Sequence, residues 1–391
     1  MTGLHALGDG LAGTLLREVV VARRTGRWDR ADATLRAMAR KPIASHPDQV
    51  GLYRGAPAAA YVLHTADRPA YRAQADRLDQ AVTRIVEQRL TAAERRLDDG
   101  VPPRMREYDL ISGLTGLTAL LLHTGSSPDL LHRGLAYLTR LLTEPTSTGD
   151  AEVPGWWTTD SPRGVPDLAM LGGHGNFGLA HGVAGPVALL ALAAHAGHVV
   201  PGQLEALRHT GALLTGWARP IPDGAGHAWP AHVTPDQWTA GPPPAARRTR
   251  PSWCYGTPGI ARALQLAARA TDEQDLQRHA EMILAGCLSD HAQPDQITDA
   301  TVCHGWAGVI LVARHAAADA LPDSDLPALL SDVEEQFDRT VHDEPATYAR
   351  GLLTGHDGVI LATETTPATT ISDPAGWQTC LLLDTPRSLT P

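Results

Sequence analysis

Apolar residues recur along the chain at helical spacing in short runs, each opened by glycines. Ile260, Ala263, Leu264 and Ala267 form one such run and Leu117, Leu120 and Leu121 another, the i, i+3, i+4 rhythm of a buried helix face. Between the runs lie stretches with a more charged face, YRAQADRLDQAVTRIVEQRL from Tyr71 and LPALLSDVEEQFDRTV from Leu326. These read as amphipathic helices with one side in water.

The glycines that open the apolar runs share a pattern of Gly, two residues, Gly. It occurs at Gly10 to Gly13, Gly113 to Gly116, Gly182 to Gly185, Gly256 to Gly259, Gly305 to Gly308 and Gly355 to Gly358, and a further unit from Gly55 keeps one glycine. Seven units result, spaced 45 to 74 residues apart, each predicting one apolar and one mixed helix. The expected fold is all-α: a closed α/α toroid of seven helix pairs with the apolar helices inside. An open solenoid fits the same period, but its end repeats should be polar caps, and neither the first nor the seventh unit is. One domain is expected over residues 1–391, with insert-like loops at 143–172 and 219–252. Both loops directly precede a glycine turn, so both are expected to cover the same end of the ring.

Net charge changes the picture by exclusion. The chain carries −10 and Lys41 is its only lysine, so no face dense enough in cations to neutralise a phosphate backbone is expected, and nucleic acid is excluded as partner. No run approaches the roughly 18 apolar residues of a membrane span. The opening MTGLHALGDGLAG has none of the parts of a secretory signal, which points to the cytoplasm. The four cysteines are then expected as reduced thiols.

Three glycine turns carry unusual side chains: LAHG with His181, WCYG with Cys254 and CHG with Cys303 and His304. Closing the ring brings Cys254 and Cys303 together. Two thiols and an imidazole suit zinc and leave one tetrahedral position open, as in catalytic rather than structural sites. The competing reading is small buried residues in crowded turns, which is the reading adopted for Cys287 and Cys380. His174, His227 and His356 are expected as surface or turn residues near the ring mouth.

WCYGTPG, CHGWAG, GLAHGVAG and YDLISGLTG resemble the lanthionine synthetase C family, and the resemblance extends over all seven repeats. It implies a stand-alone lanthipeptide cyclase with one zinc ion on Cys254, Cys303 and His304. Such an enzyme adds peptide cysteine thiols to dehydroalanine or dehydrobutyrine, giving thioether rings. It further implies catalytic roles for His181, Asp109, Arg250 and Tyr255. His181 would handle the proton and Asp109 would orient it; Arg250 would pair with Asp109 or stabilise the enolate oxygen. Each has a plainer alternative: a turn hydrogen bond for His181, a local capping role for Asp109, a solvated charge run for Arg250. The implied partner is a dehydrated precursor peptide, leader plus core, received from a separate dehydratase or transporter, with peripheral attachment to a membrane-bound complex left open. Two other functions fit the same scaffold: addition of glutathione or another thiol to dehydroamino acids, and a non-catalytic zinc-containing peptide-binding module.

Overall fold

Seven apolar helices close into a ring in the computed structural model, which describes residues 3–149, 151–161, 172–222, 224, 226–290, 292, 294–343, 349–365 and 376–384. In chain order the helices are α1 Leu11–Thr25, α2 Asp29–Met38, α3 Ala56–Ala66, α4 Arg72–Asp98, α5 Met105–Tyr108, α6 Leu114–Thr124, α7 Pro128–Thr143 and α8 Ala184–His195. They continue with α9 Gln203–Trp217, α10 Pro235–Ala240, α11 Thr257–Thr271, α12 Gln274–Ser289, α13 Trp306–Ala318, α14 Leu326–Asp343 and α15 His356–Glu364. The inner ring is α1, α3, α6, α8, α11, α13 and α15. Each packs on the next and α15 packs back on α1, so the barrel is closed. Asp357 of α15 seals the joint, accepting from Thr14 Oγ1 at 2.7 Å and from Arg17 Nε at 2.7 Å. Helices α2, α4, α7, α9, α12 and α14 lie outside, each against the inner helix before it.

A hoop of backbone hydrogen bonds links the seven turns that feed the inner helices. Leu7 N–H donates to Tyr53 O (2.9 Å), Tyr53 to Ile111 (3.4 Å), Leu110 to Ala180 (3.1 Å), Ala180 to Cys254 (3.2 Å), Cys254 to Cys303 (3.3 Å), Cys303 to Leu353 (2.9 Å) and Leu352 back to Leu7 (2.9 Å). The glycines make this hoop sterically possible. A Cβ on Gly116, Gly259, Gly308 or Gly358 would fall closer than 3.0 Å to the carbonyl oxygen of the residue six positions earlier: Leu110, Trp253, Val302 or Leu352. That carbonyl belongs to the turn itself, so each inner helix starts pressed against its own entry strand, an approach only glycine permits.

The axis of the ring is filled by the segment Trp377–Leu383, every residue of which is buried. Its polar backbone finds partners on the barrel wall, as burial demands. Tyr61 Oη donates to Trp377 O (2.8 Å), Tyr53 Oη to Cys380 O (2.7 Å), Trp253 Nε1 to Leu381 O (2.9 Å) and Arg262 Nη2 to Leu383 O (2.9 Å).

The two loops before the fourth and fifth turns meet. Strand β1 (Thr146–Thr148) pairs with β2 (Ala151–Val153), β3 (Gly175–Asn176) with β6 (His232–Val233), and β4 (Arg219–Pro220) with β5 (His227–Ala228), all antiparallel. The β3–β6 pair joins one loop to the other. Trp238 of α10 stacks on Trp217 at 5.5 Å between ring centroids and meets Trp156 and Trp157 edge-on, so the loop layer has its own aromatic core. Residues 150, 162–171, 223 and 225 of these loops lie outside the described residues. No helix among the described residues is long and apolar enough to cross a membrane.

Candidate functional site

The hoop puts the fifth and sixth turns side by side, and with them Cys254 and Cys303. Beyond the backbone bond between them, their thiols are near enough to shift each other's acidity. The arrangement splits their acidities. The neighbouring Cys303 thiol draws Cys254 below the usual thiol range against the effect of burial, with help from Ser252 and the charge of Arg250. Cys303, half-buried beside Cys254, is pushed up. Cys287 and Cys380 are buried elsewhere, and burial lifts each to about 12, so they stay protonated thiols.

His304 follows Cys303 in the same turn. Its Nδ1 lies 2.8 Å from Asp299 Oδ2, and Asp299 Oδ1 accepts from Thr301 N at 2.8 Å and Thr301 Oγ1 at 2.6 Å. Burial pushes the Asp299 carboxyl up, but these bonds and His304 outweigh it and the group is held low. With Nδ1 committed to a carboxylate, the lone pair of His304 is directed to Nε2, the tautomer a metal-binding histidine needs. Asp299 was not singled out from sequence, although its position five residues before His304 in DATVCH was the available signal. Among the described residues no three His, Cys, Asp or Glu side chains stand as a ready metal-holding group; the two cysteines adjoin, and the His304 imidazole, next in sequence to Cys303, is held by Asp299.

The third and fourth turns supply a second pair. His181 Nδ1 lies 2.6 Å from Asp109 Oδ2, and Asp109, 2 % exposed, also accepts from Ser112 N at 2.7 Å through Oδ1. Burial pushes His181 down, but the Asp109 carboxylate outweighs it and raises the imidazole above its usual 6.5. Tyr255 stands near, its ring centroid 6.0 Å from that of His181. Burial raises its phenol to about 12, so the hydroxyl keeps its proton.

Asn176 ties these parts together and had no sequence signal beyond its place in GNFGLAHG. Fully buried, it donates through Nδ2 to Tyr255 Oη (3.2 Å) and accepts from Gly178 N (3.0 Å). Arg250 is exposed and forms no ion pair with Asp109 among the described residues; its charge bears on both Cys254 and Cys303, while His181 and Ser112 take the Asp109 carboxylate. Among the bystander histidines, His356 is exposed and His227 half-buried, as expected. His174 is fully buried instead, its Nδ1 2.7 Å from Asp160 O, because the loop layer covers it.

The sequence model described as lanthionine synthetase C-like protein matches residues 5–382. Nisin biosynthesis protein NisC of Lactococcus lactis subsp. lactis is 26% identical over 265 residues, a match covering 66% of this chain and 60% of that protein's length. A solved structure, nisin cyclase, superposes with a TM-score of 0.77 at 21% identity, covering 98% of this chain and 93% of the other.

Proposed function

We propose, from the premise that the chain belongs to the lanthionine synthetase C-like family, that it is a zinc-dependent lanthipeptide cyclase. The reading is carried by one arrangement: Cys254 and Cys303 adjoin across two turns, His304 follows Cys303 with its ring tethered by Asp299, and a His181–Asp109 pair occupies the neighbouring turns. Two sulfurs and an Nδ1-anchored histidine are zinc chemistry, and Cys254, Cys303 and His304 would hold the ion. When bound, it lets a substrate cysteine be a thiolate near neutral pH, where a free thiol with a pKa near 8.5 is mostly protonated.

The reaction then needs a proton moved and a negative charge met. A sulfur–carbon bond forms at the β-carbon of dehydroalanine or dehydrobutyrine, the carbon–carbon π electrons pass to an enolate, and the α-carbon takes a proton. No atom is lost, since the thiol proton and the delivered proton balance. His181 delivers it. Asp109 holds its ring by Nδ1 and keeps it cationic closer to neutrality, so Nε2 is the proton-bearing atom offered to substrate. Arg250 contributes positive potential at the thiols, and Tyr255, fixed by Asn176, is a neutral hydroxyl donor beside His181. The substrate is a dehydrated precursor peptide, delivered by a separate dehydratase or transporter.

Incubating purified protein with a dehydrated, cysteine-containing peptide, with and without added glutathione, and alkylating the remaining peptide thiols tests this. Loss of alkylatable thiol at unchanged peptide mass is the expected result. A peptide that keeps all its thiols identifies a binding module, and one that gains the mass of added glutathione identifies the intermolecular reaction.

A further inference from the structure

Beside the Asp109 turn, outside the paired thiols, two adjoining clefts of about 410 and 450 Å³ share Asp48 and Arg106 as lining. One is lined by Arg54 and Ser112, the other by Arg89, Arg104 and Glu107; of the two carboxylates in this lining, Glu107 is taken by Arg96 at 2.7 Å and Asp48 lies beside His46. Four arginines therefore converge on a protein whose net charge is −10.

Their charge is only partly answered. Arg54 is exposed and its guanidinium has no carboxylate partner among the described residues. Arg106, also exposed, donates to the Asp48 carbonyl. Arg89 is the deeper group, and it spends its donors on three carbonyls: Ser112 O (2.5 Å), Arg106 O (2.6 Å) and Val50 O (3.3 Å). Burial lowers its proton affinity, and the main opposing charge is Asp109, a carboxylate already bonded to His181 and Ser112. Arg104 alone has a direct acidic partner, Asp160 at 3.1 Å. A partly buried guanidinium satisfied only by neutral oxygens retains an electrostatic demand for an anion, and arginine meets carboxylates in bidentate fashion.

We infer that this cleft is a docking surface for an acidic peptide segment, one carrying several Asp or Glu side chains. The inference rests on the proposed peptide substrate and extends it, assigning a place where peptide outside the reacting residues is held. A short acidic stretch fits better than nucleic acid, because the basic surface is local and the remainder of the molecule repels a long polyanion. Ser112 is common to the cleft and to the Asp109 turn, so a segment bound here leads its flanking residues toward the ring mouth.

Fluorescence anisotropy tests it without reference to catalysis. The probes are a fluorescein-labelled short peptide of alternating Glu and Gly, the same peptide with Gln for Glu, and a labelled single-stranded oligonucleotide of equal charge. The Glu peptide binds, the Gln peptide binds roughly tenfold more weakly or worse, and added salt weakens the Glu peptide. The double variant Arg54→Glu/Arg106→Glu loses binding by roughly tenfold or more, whereas Arg77→Glu on the exposed face of α4 does not. Equal binding of the Gln peptide, or unchanged binding by the double variant, overturns the inference. So does an oligonucleotide that binds as tightly and is lost with the same variant. Thiol consumption from a dehydrated peptide lacking acidic residues is measured in parallel, so a failed cyclase reading and a failed docking surface give different results.

Discussion

Replacing Gly259 by alanine perturbs the packing that delivers Cys254 to its place. The new methyl would lie closer than 3.0 Å to the Trp253 carbonyl oxygen and 3.3 Å from Leu179 Cβ. Relief requires the Trp253–Cys254 strand to retreat, yet Trp253 Nε1 is tied to Leu381 O at 2.9 Å and Cys254 N to Cys303 O at 3.3 Å. Overpacking of this kind costs about 1–3 kcal/mol, and an obstacle made of tethered backbone places it at the upper end. Better helix propensity returns up to about 1 kcal/mol, leaving a net loss of about 2 kcal/mol. Gly216 on outer helix α9 is the control, since a Cβ there meets nothing within 4 Å; the same substitution should stabilise by about 0.5–1 kcal/mol. Urea unfolding reads both: the midpoint falls for Gly259→Ala and rises for Gly216→Ala at unchanged slope. A midpoint for Gly259→Ala at or above that of the parent protein would refute the close-approach argument.

Other consequences are checkable with equal directness. Asp109→Asn removes the carboxylate facing His181 at 2.6 Å; losing a charge-assisted bond of about 1.5–3 kcal/mol should slow thiol consumption roughly 10- to 100-fold, and a rate within a few-fold of the parent would show the pair is dispensable. Cys254→Ala and Cys303→Ala should each abolish stoichiometric zinc by metal analysis while His181→Ala keeps it; full zinc in Cys303→Ala contradicts the ligand assignment. Stability should fall in mild acid partly through His315, 4 % exposed and lowered from 6.5 to about 4 chiefly by burial. The unfolded chain binds the proton first, so this contribution is complete above pH 6.5 and is lost as pH drops toward 4, by up to about 1.4 kcal/mol per pH unit. His315→Asn should flatten the stability–pH curve in that window, and an unchanged curve would exclude the residue.

Much of the ring is legible in the chain because its signals are local and repeated. Each apolar run announces an inner helix and each glycine pair a crowded helix mouth, so the turn positions of Cys254, Cys303 and His181 follow from register, whereas Asp109 stands out only through the family resemblance. What is not legible depends on partners far away in sequence. Asp299 looks like an ordinary loop acid until the fold turns it onto His304, and Asn176 like a polar strand residue until it meets Tyr255. Arg250 has a choice of acidic and thiol neighbours that only three-dimensional placement decides. The axial segment is illegible for the same reason: Trp377 to Leu383 reads as a short apolar run, and nothing in it announces anchors as remote as Tyr53 and Arg262.

A chain of repeats with two free ends frays from those ends, because a terminal unit is held on one side only. The hoop of backbone bonds has no such place to begin. Breaking any one link, including the bond between Cys254 and Cys303, leaves both turns gripped by their other neighbours, so real loosening of the thiol pair demands two simultaneous ruptures. Circularity thus supplies the cysteines with a rigidity that their own short glycine-rich loops lack.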